Sequence, residues 1–88
     1  MSETLNNQIQ RTFYDSEKAY YYLKEIAGDV KHISSKDHGR MYWNGGISIA
    51  LRIIDHYIDN NGKKYTIEFN RGLDGFPSSW TVCDSLYT

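Results

Sequence analysis

The chain has one cysteine, one proline and no long apolar run, and each scarcity removes a class of protein. A lone Cys83 cannot close an internal disulfide, so this is not a disulfide-stapled secreted scaffold, and it suits a reducing compartment. No stretch approaches the ~18–20 apolar residues that span a bilayer. The opening MSETLNNQIQ carries neither the basic nor the apolar segment of a secretory signal. These features predict a cytoplasmic protein with no membrane partner. Charge of one sign is lacking too: ten Lys and Arg against eleven Asp and Glu leave a formal net charge of −1. A strongly basic nucleic-acid binder and a strongly acidic nucleic-acid mimic both look different. Nucleotide-binding glycine motifs are missing as well. Gly45-Gly46 and Gly72-x-x-Gly75 lack the strand–loop–helix setting and the P-loop lysine, so they read as turn glycines and no cofactor is expected.

What is present fits one small globular domain over residues 1–88, with residues 1–5 expected to fray. The hydrophobic fraction is 40% and the charged fraction 24%, ordinary for a folded chain. Aromatics reach 15%, and eight of them are tyrosine. A core of this size cannot take in so many rings, so some must stand at the surface.

The clearest element is DSEKAYYYLKEIAGD. Asp15 or Ser16 can cap the first backbone N–H groups, Glu17 suits the positive helix end, and Gly28 can take the left-handed conformation that stops a helix. Ala19, Tyr20, Leu23, Ile26 and Ala27 recur at helical spacing, which predicts a helix over about 15–27 with that stripe buried. Ahead of it, Ile9, Arg11 and Phe13 alternate with Gln10 and Thr12 as in a short strand. After it, Val30–Ile33 and Arg40–Trp43 read as two short strands, with turn chemistry at Ser34, Ser35 and Gly39 between them.

Residues 47–70 admit two readings. Ile47, Ala50, Leu51, Ile54, Tyr57 and Ile58 lie at helical spacing. Against a helix, residues 47–58 hold five isoleucines, which lose side-chain freedom in helices and prefer strands. The favoured reading is a hairpin, 47–58 against 63–70, about a two-residue Asn61-Gly62 turn. That turn sets Ile58 opposite Tyr65, His56 opposite Ile67 and Asp55 opposite Glu68. It also asks for a bulge near Ile53-Ile54, where the apolar face switches. The alternation in SWTVCDSLY predicts a last strand. The sum is an α+β domain: one helix on an antiparallel sheet of about four strands.

Candidate chemistry is sparse. Asp55 and His56 point to opposite faces of a strand. His32, Asp37 and His38 match no metal-ligand spacing, so no metal site is expected. Cys83 beside Asp84 has no base in sequence and reads as a buried small hydrophobe. The aromatic excess carries more. Tyrosine and tryptophan dominate interface hot spots, and Tyr21, Tyr22, Tyr42, Trp43 and Tyr57 are the expected partner-binding residues. They point to a non-enzymatic protein-binding domain, such as a stoichiometric inhibitor or accessory protein of phage or mobile-element type. An open sheet edge could also pair two copies as a homodimer. The alternative is a nucleic-acid-binding module using Lys31, Lys36, Arg40 and Trp43, where cations track phosphates and a ring stacks a base.

Overall fold

The computed structural model describes residues 9–42, 45–46 and 48–84. Over these, the elements run β1 (Gln10–Phe13), α1 (Ser16–Ala27), β2 (Val30–Tyr42), β3 (Ser48–Asp59), β4 (Lys64–Asn70) and β5 (Ser79–Asp84). The strands form one antiparallel sheet in the order β1-β5-β4-β3-β2. The α+β class is as the sequence predicts, with five strands where about four were expected. No helix is long and apolar enough to cross a membrane among the described residues.

Helix α1 starts and stops where its chemistry dictates. The Asp15 side chain accepts a 2.8 Å hydrogen bond from the Glu17 N–H, satisfying one of the donors that a helix start leaves unpaired. Gly28, at φ 75°, ends the helix while its N–H reaches the Lys24 carbonyl at 2.8 Å. Between them Ala19 and Leu23 are fully buried against Val82, Ile67 and Tyr65. Tyr22, Ile26, Ala27 and Phe13 pack around that cluster. One expectation changes here. Tyr20, placed in the buried stripe by spacing, stands at the surface (39% exposed), while Tyr22 turns inward against Phe13 with ring centroids 5.3 Å apart.

The hairpin of β3 and β4 is present, but its turn is longer than the Asn-Gly pair suggests. Asp59 and Lys63 close the loop, with Asp59 N–H donating to the Lys63 carbonyl at 3.0 Å and Gly62 N–H to the Asp59 carbonyl at 3.1 Å. Three residues, Asn60, Asn61 and Gly62, lie between them, and Gly62 takes φ 86°. This is the three-residue hairpin loop whose last position favours glycine. The Asp59 carboxylate fixes it by accepting the N–H groups of Asn61 and Lys63, both at 2.8 Å.

That one extra residue shifts the register by one, and in a strand a one-residue shift exchanges the faces. The observed partners are Tyr57↔Tyr65, Asp55↔Ile67 and Ile53↔Phe69, with His56↔Thr66 and Ile54↔Glu68 on the other side. The repulsive Asp55–Glu68 pair of the expected register does not form. At Ile53-Ile54 itself the register is regular, with Ile53 and Phe69 on the helix side; the bulge expected near there falls two residues earlier in β3, at Leu51.

Against β2 the ladder is irregular at three places: β2 carries an extra residue after His32 and another between Asp37 and Gly39, and β3 carries one at Leu51, opposite the Gly39–Arg40 step. These irregularities let β2 run unbroken for 13 residues where sequence predicts two short strands and a turn. Glycine and serine here mark places where the ladder is interrupted rather than where the chain reverses. The molecule measures 50 × 27 × 24 Å, drawn out along this long β2–β3 pair. At its end the loop over residues 71–78 folds back onto β3. Arg71 donates its backbone N–H to the Leu51 carbonyl (2.8 Å) and its Nε–H to the Ala50 carbonyl (2.7 Å). Gly72 is required there, since a Cβ would collide with the backbone of Phe76 and Pro77.

Candidate functional site

The helix sits over the β1, β5 and β4 side of the sheet, and its core partners are Val82, Ile67 and Tyr65. Its two flanks therefore differ. On the β1 flank an open groove of about 430 Å³ is lined by Arg11, Phe13, Lys18, Tyr21, Tyr22 and Glu25. The Arg11 guanidinium lies over both the Phe13 ring (5.5 Å) and the Tyr22 ring (5.3 Å), a cation–π clasp that holds β1 to the helix. On the β3 flank a cleft of about 290 Å³ is lined by Ser16, Glu17 and Tyr20 from the helix and by Asp55, Tyr57, Ile67 and Trp80 from the sheet.

Beside that cleft β2 contributes a polar cluster. His32 Nε2 is 2.9 Å from Ser35 Oγ and 3.4 Å from Asp55 Oδ1, and the Ser35 hydroxyl donates to Asp55 Oδ1. The His32 ring also meets Tyr57 edge-on at 5.3 Å. On a regular strand, residues three apart point to opposite faces. The bulge after His32 restores both His32 and Ser35 to the helix side, opposite Tyr57 and Asp55. Burial pushes the Tyr57 hydroxyl above its ordinary range, and the negative charge of Asp55 adds to the shift.

The cluster is a hydrogen-bonded chain and not a nucleophilic triad. The serine proton goes to Asp55, and a single imidazole nitrogen faces both partners, so no base is aimed at Ser35 while a separate carboxylate orients it. Among the described residues no group of three His, Cys, Asp or Glu side chains is placed to hold a metal ion. His38 is not drawn into the His32 cluster, and Asp37 pairs with Arg40 at 2.5 Å. His56 lies on the opposite face from Asp55, across from Ser34 and Thr66. Cys83 is half-buried on that same face, also beside Thr66.

The expected partner-binding rings do not form one patch. Tyr21 is 62% exposed on the helix. Tyr22 and Tyr57 are half-buried and packed against the core, a correction to their expected exposure. Tyr42 is 74% exposed but ends β2, 12 residues beyond Val30, which is about 40 Å at strand rise. Trp43 lies outside the described residues. Sequence reasoning passed over Tyr14, 67% exposed just ahead of the helix. Its place before a capping aspartate was the available signal.

The basic residues divide as well. Lys31 and Lys36 are exposed on the sheet face away from the helix, opposite Ile58 and Ile54, and make no ion pair among the described residues. Arg40 is engaged by Asp37 and by Ser48 Oγ at 2.9 Å.

No known family, curated protein or solved structure matches this chain.

Proposed function

We propose that the chain is a non-catalytic protein-binding domain that engages one partner stoichiometrically through the first turns of α1 and the sheet beside them. The observation that carries this reading is the set of exposed rings around the start of α1: Tyr14 at 67%, Tyr21 at 62% on the β1 flank and Tyr20 at 39% on the β3 flank. Rings with their bodies in water gain by association, and tyrosine brings a large contact area with few rotatable bonds. The finer reading is a cytoplasmic inhibitor or accessory protein of phage or mobile-element type, a role that needs only a compact surface and no cofactor.

The test is affinity capture from cells that carry the gene, using wild type and the double variant Tyr14→Ala/Tyr21→Ala. Both rings are mostly solvated, so the melting temperature should hold, as surface substitutions stay within about 0.5 kcal/mol. Capture should be lost. Undiminished capture by the double variant rules out this surface. Tyr42→Ala, at the far end of the molecule, should leave capture unchanged.

Lys31 and Lys36, on one face and with no ion pair among the described residues, support the alternative of nucleic-acid binding. Against it, Tyr65, Phe69 and Trp80 all point to the helix side, so the lysines have no ring of β4 or β5 beside them to stack a base. A mobility shift that weakens steeply with salt would favour this alternative. Homodimerisation through β2 has less support: its bulges and its Lys31, Lys36 and Arg40 are the features by which edge strands resist pairing.

A further inference from the structure

The cleft on the β3 flank has a composition of its own. Tyr20, Tyr57 and Trp80 supply three aromatic rings, Glu17 and Asp55 two carboxylates, and no lysine or arginine lines it. We propose that it receives an alkylammonium group, the ε-ammonium of a lysine, bare or methylated, carried by the partner polypeptide. The proposal rests on the protein-binding reading above and specifies what that partner presents.

Three observations support it. The ring faces carry the negative side of the aromatic quadrupole, and a cation enclosed by several such faces is held electrostatically. The Tyr20 and Tyr57 rings meet in a tilted contact, 6.4 Å apart and inclined at 52°, and together wall one side of the cleft. The cleft volume, about 290 Å³, lies at the low end for ligand pockets, enough for a head group and its alkyl stem. Ile67 offers that stem an apolar surface.

Hydrogen bonding at Asp55 favours an ammonium over a guanidinium there. The Asp55 Oδ1 atom already accepts from Ser35 and faces His32. A guanidinium fork needs both oxygens of a carboxylate, whereas an ammonium acts as a point charge and needs only one. The chain's own Lys24 sits 5.9 Å from the Tyr20 ring yet is not among the cleft-lining residues, so no lysine or arginine there offsets Glu17 and Asp55.

The experiment is an NMR titration of the full chain with three blocked tripeptides, Gly-Lys-Gly, its Nε-trimethyl form and its norleucine counterpart, and with tetramethylammonium chloride, all at constant ionic strength. The lysine peptides should give saturable shifts at the Trp80 indole N–H and the amides of Asp55 and Tyr57. The neutral norleucine peptide should give none. Asp55→Asn and Tyr20→Leu should each weaken binding about tenfold. Tyr20→Phe, which keeps the ring face, should retain it. Tyr20 is a surface ring, so its variants test the site even if Asp55→Asn perturbs the fold.

Absence of saturation, or equal binding of the norleucine peptide, overturns the proposal. Binding of tetramethylammonium but of neither lysine peptide overturns it too, because the site would then serve a free amine. Tyr14 and Tyr21 do not line the cleft, and the Tyr14→Ala/Tyr21→Ala protein should still take the lysine peptide. Partner capture that persists when the wild-type cleft binds no lysine peptide refutes this inference alone.

Discussion

The turn between β3 and β4 gives a direct test of the register, and with it of every side-chain placement in the cleft. In a three-residue loop the Asp59 carboxylate is the organising group: it accepts two backbone N–H groups at 2.8 Å and lies 3.4 Å from the Tyr65 hydroxyl. Asp59→Ala removes an interaction resembling a helix N-cap, so the expected loss is about 1–2 kcal/mol. For a chain of this size that lowers the melting temperature by roughly 5–10 °C. Asp59→Asn keeps an acceptor oxygen and should recover most of the difference. Asn61 makes no side-chain hydrogen bond among the described residues and does not take positive φ. Asn61→Ala should therefore cost under about 0.5 kcal/mol. In a two-residue Asn61-Gly62 turn the order reverses, because Asn61 would then be left-handed and alanine there costs about 1–2 kcal/mol. Thermal and urea unfolding of the three variants separates the cases. If Asn61→Ala proves as damaging as Asp59→Ala, the register is wrong, and Asp55 leaves the cleft.

Two further outcomes follow from the core and the sheet. Leu23 is fully buried at the centre of the helix–sheet contact, so Leu23→Ala should cost about 2–5 kcal/mol, read as a lowered urea midpoint. The Arg52 guanidinium, 2.7 Å from Glu68, holds the Glu68 carboxyl below the usual range, against a smaller opposing effect of burial, and Asn70 assists. A depressed carboxyl contributes stability that is complete above the titration of the unfolded chain and is lost as pH falls through the folded value. Arg52→Met should flatten the acid side of the stability–pH curve below about pH 5, and an unchanged acid limb would show that the pair contributes nothing.

Much of this layout is legible in the residues. The Asp15 cap and the Gly28 stop delimit α1, and the isoleucine-rich run with its Asn-Gly turn announces a hairpin. The register is not legible, because Asn61-Gly62 serves both loop lengths and the decision falls to a carboxylate two residues upstream. The continuity of β2 is hidden for a similar reason: Ser34, Ser35 and Gly39 suit a turn or a bulge equally, and only the length of β3 opposite selects the bulge. The same bulge conceals the His32–Ser35–Asp55 cluster, which a regular strand would split between faces. The exchange of Tyr20 and Tyr22 is tertiary. Both rings border the Ala19–Leu23–Ile26 stripe, one on each flank. Phe13 on β1 receives Tyr22, and on the β3 flank the cleft leaves Tyr20 at the surface.

That asymmetry follows from the lengths of the elements. A helix of 12 residues is about 18 Å long, while β3, also 12 residues, extends to about 40 Å. One such helix cannot shield the helix-side face of the sheet along the full length of its strands. The shielded part holds Leu23, Val82 and Ile67 at 5% exposure or less. Beyond it Ile53 remains half-buried on that face, with the Arg71 loop as the described segment that folds back onto its strand. Stability and recognition are thus assigned to different parts of one sheet, so truncating an exposed ring near the cleft can remove binding without unfolding the chain. Lengthening the helix over β3 would stabilise the domain by covering the surface proposed to hold the partner.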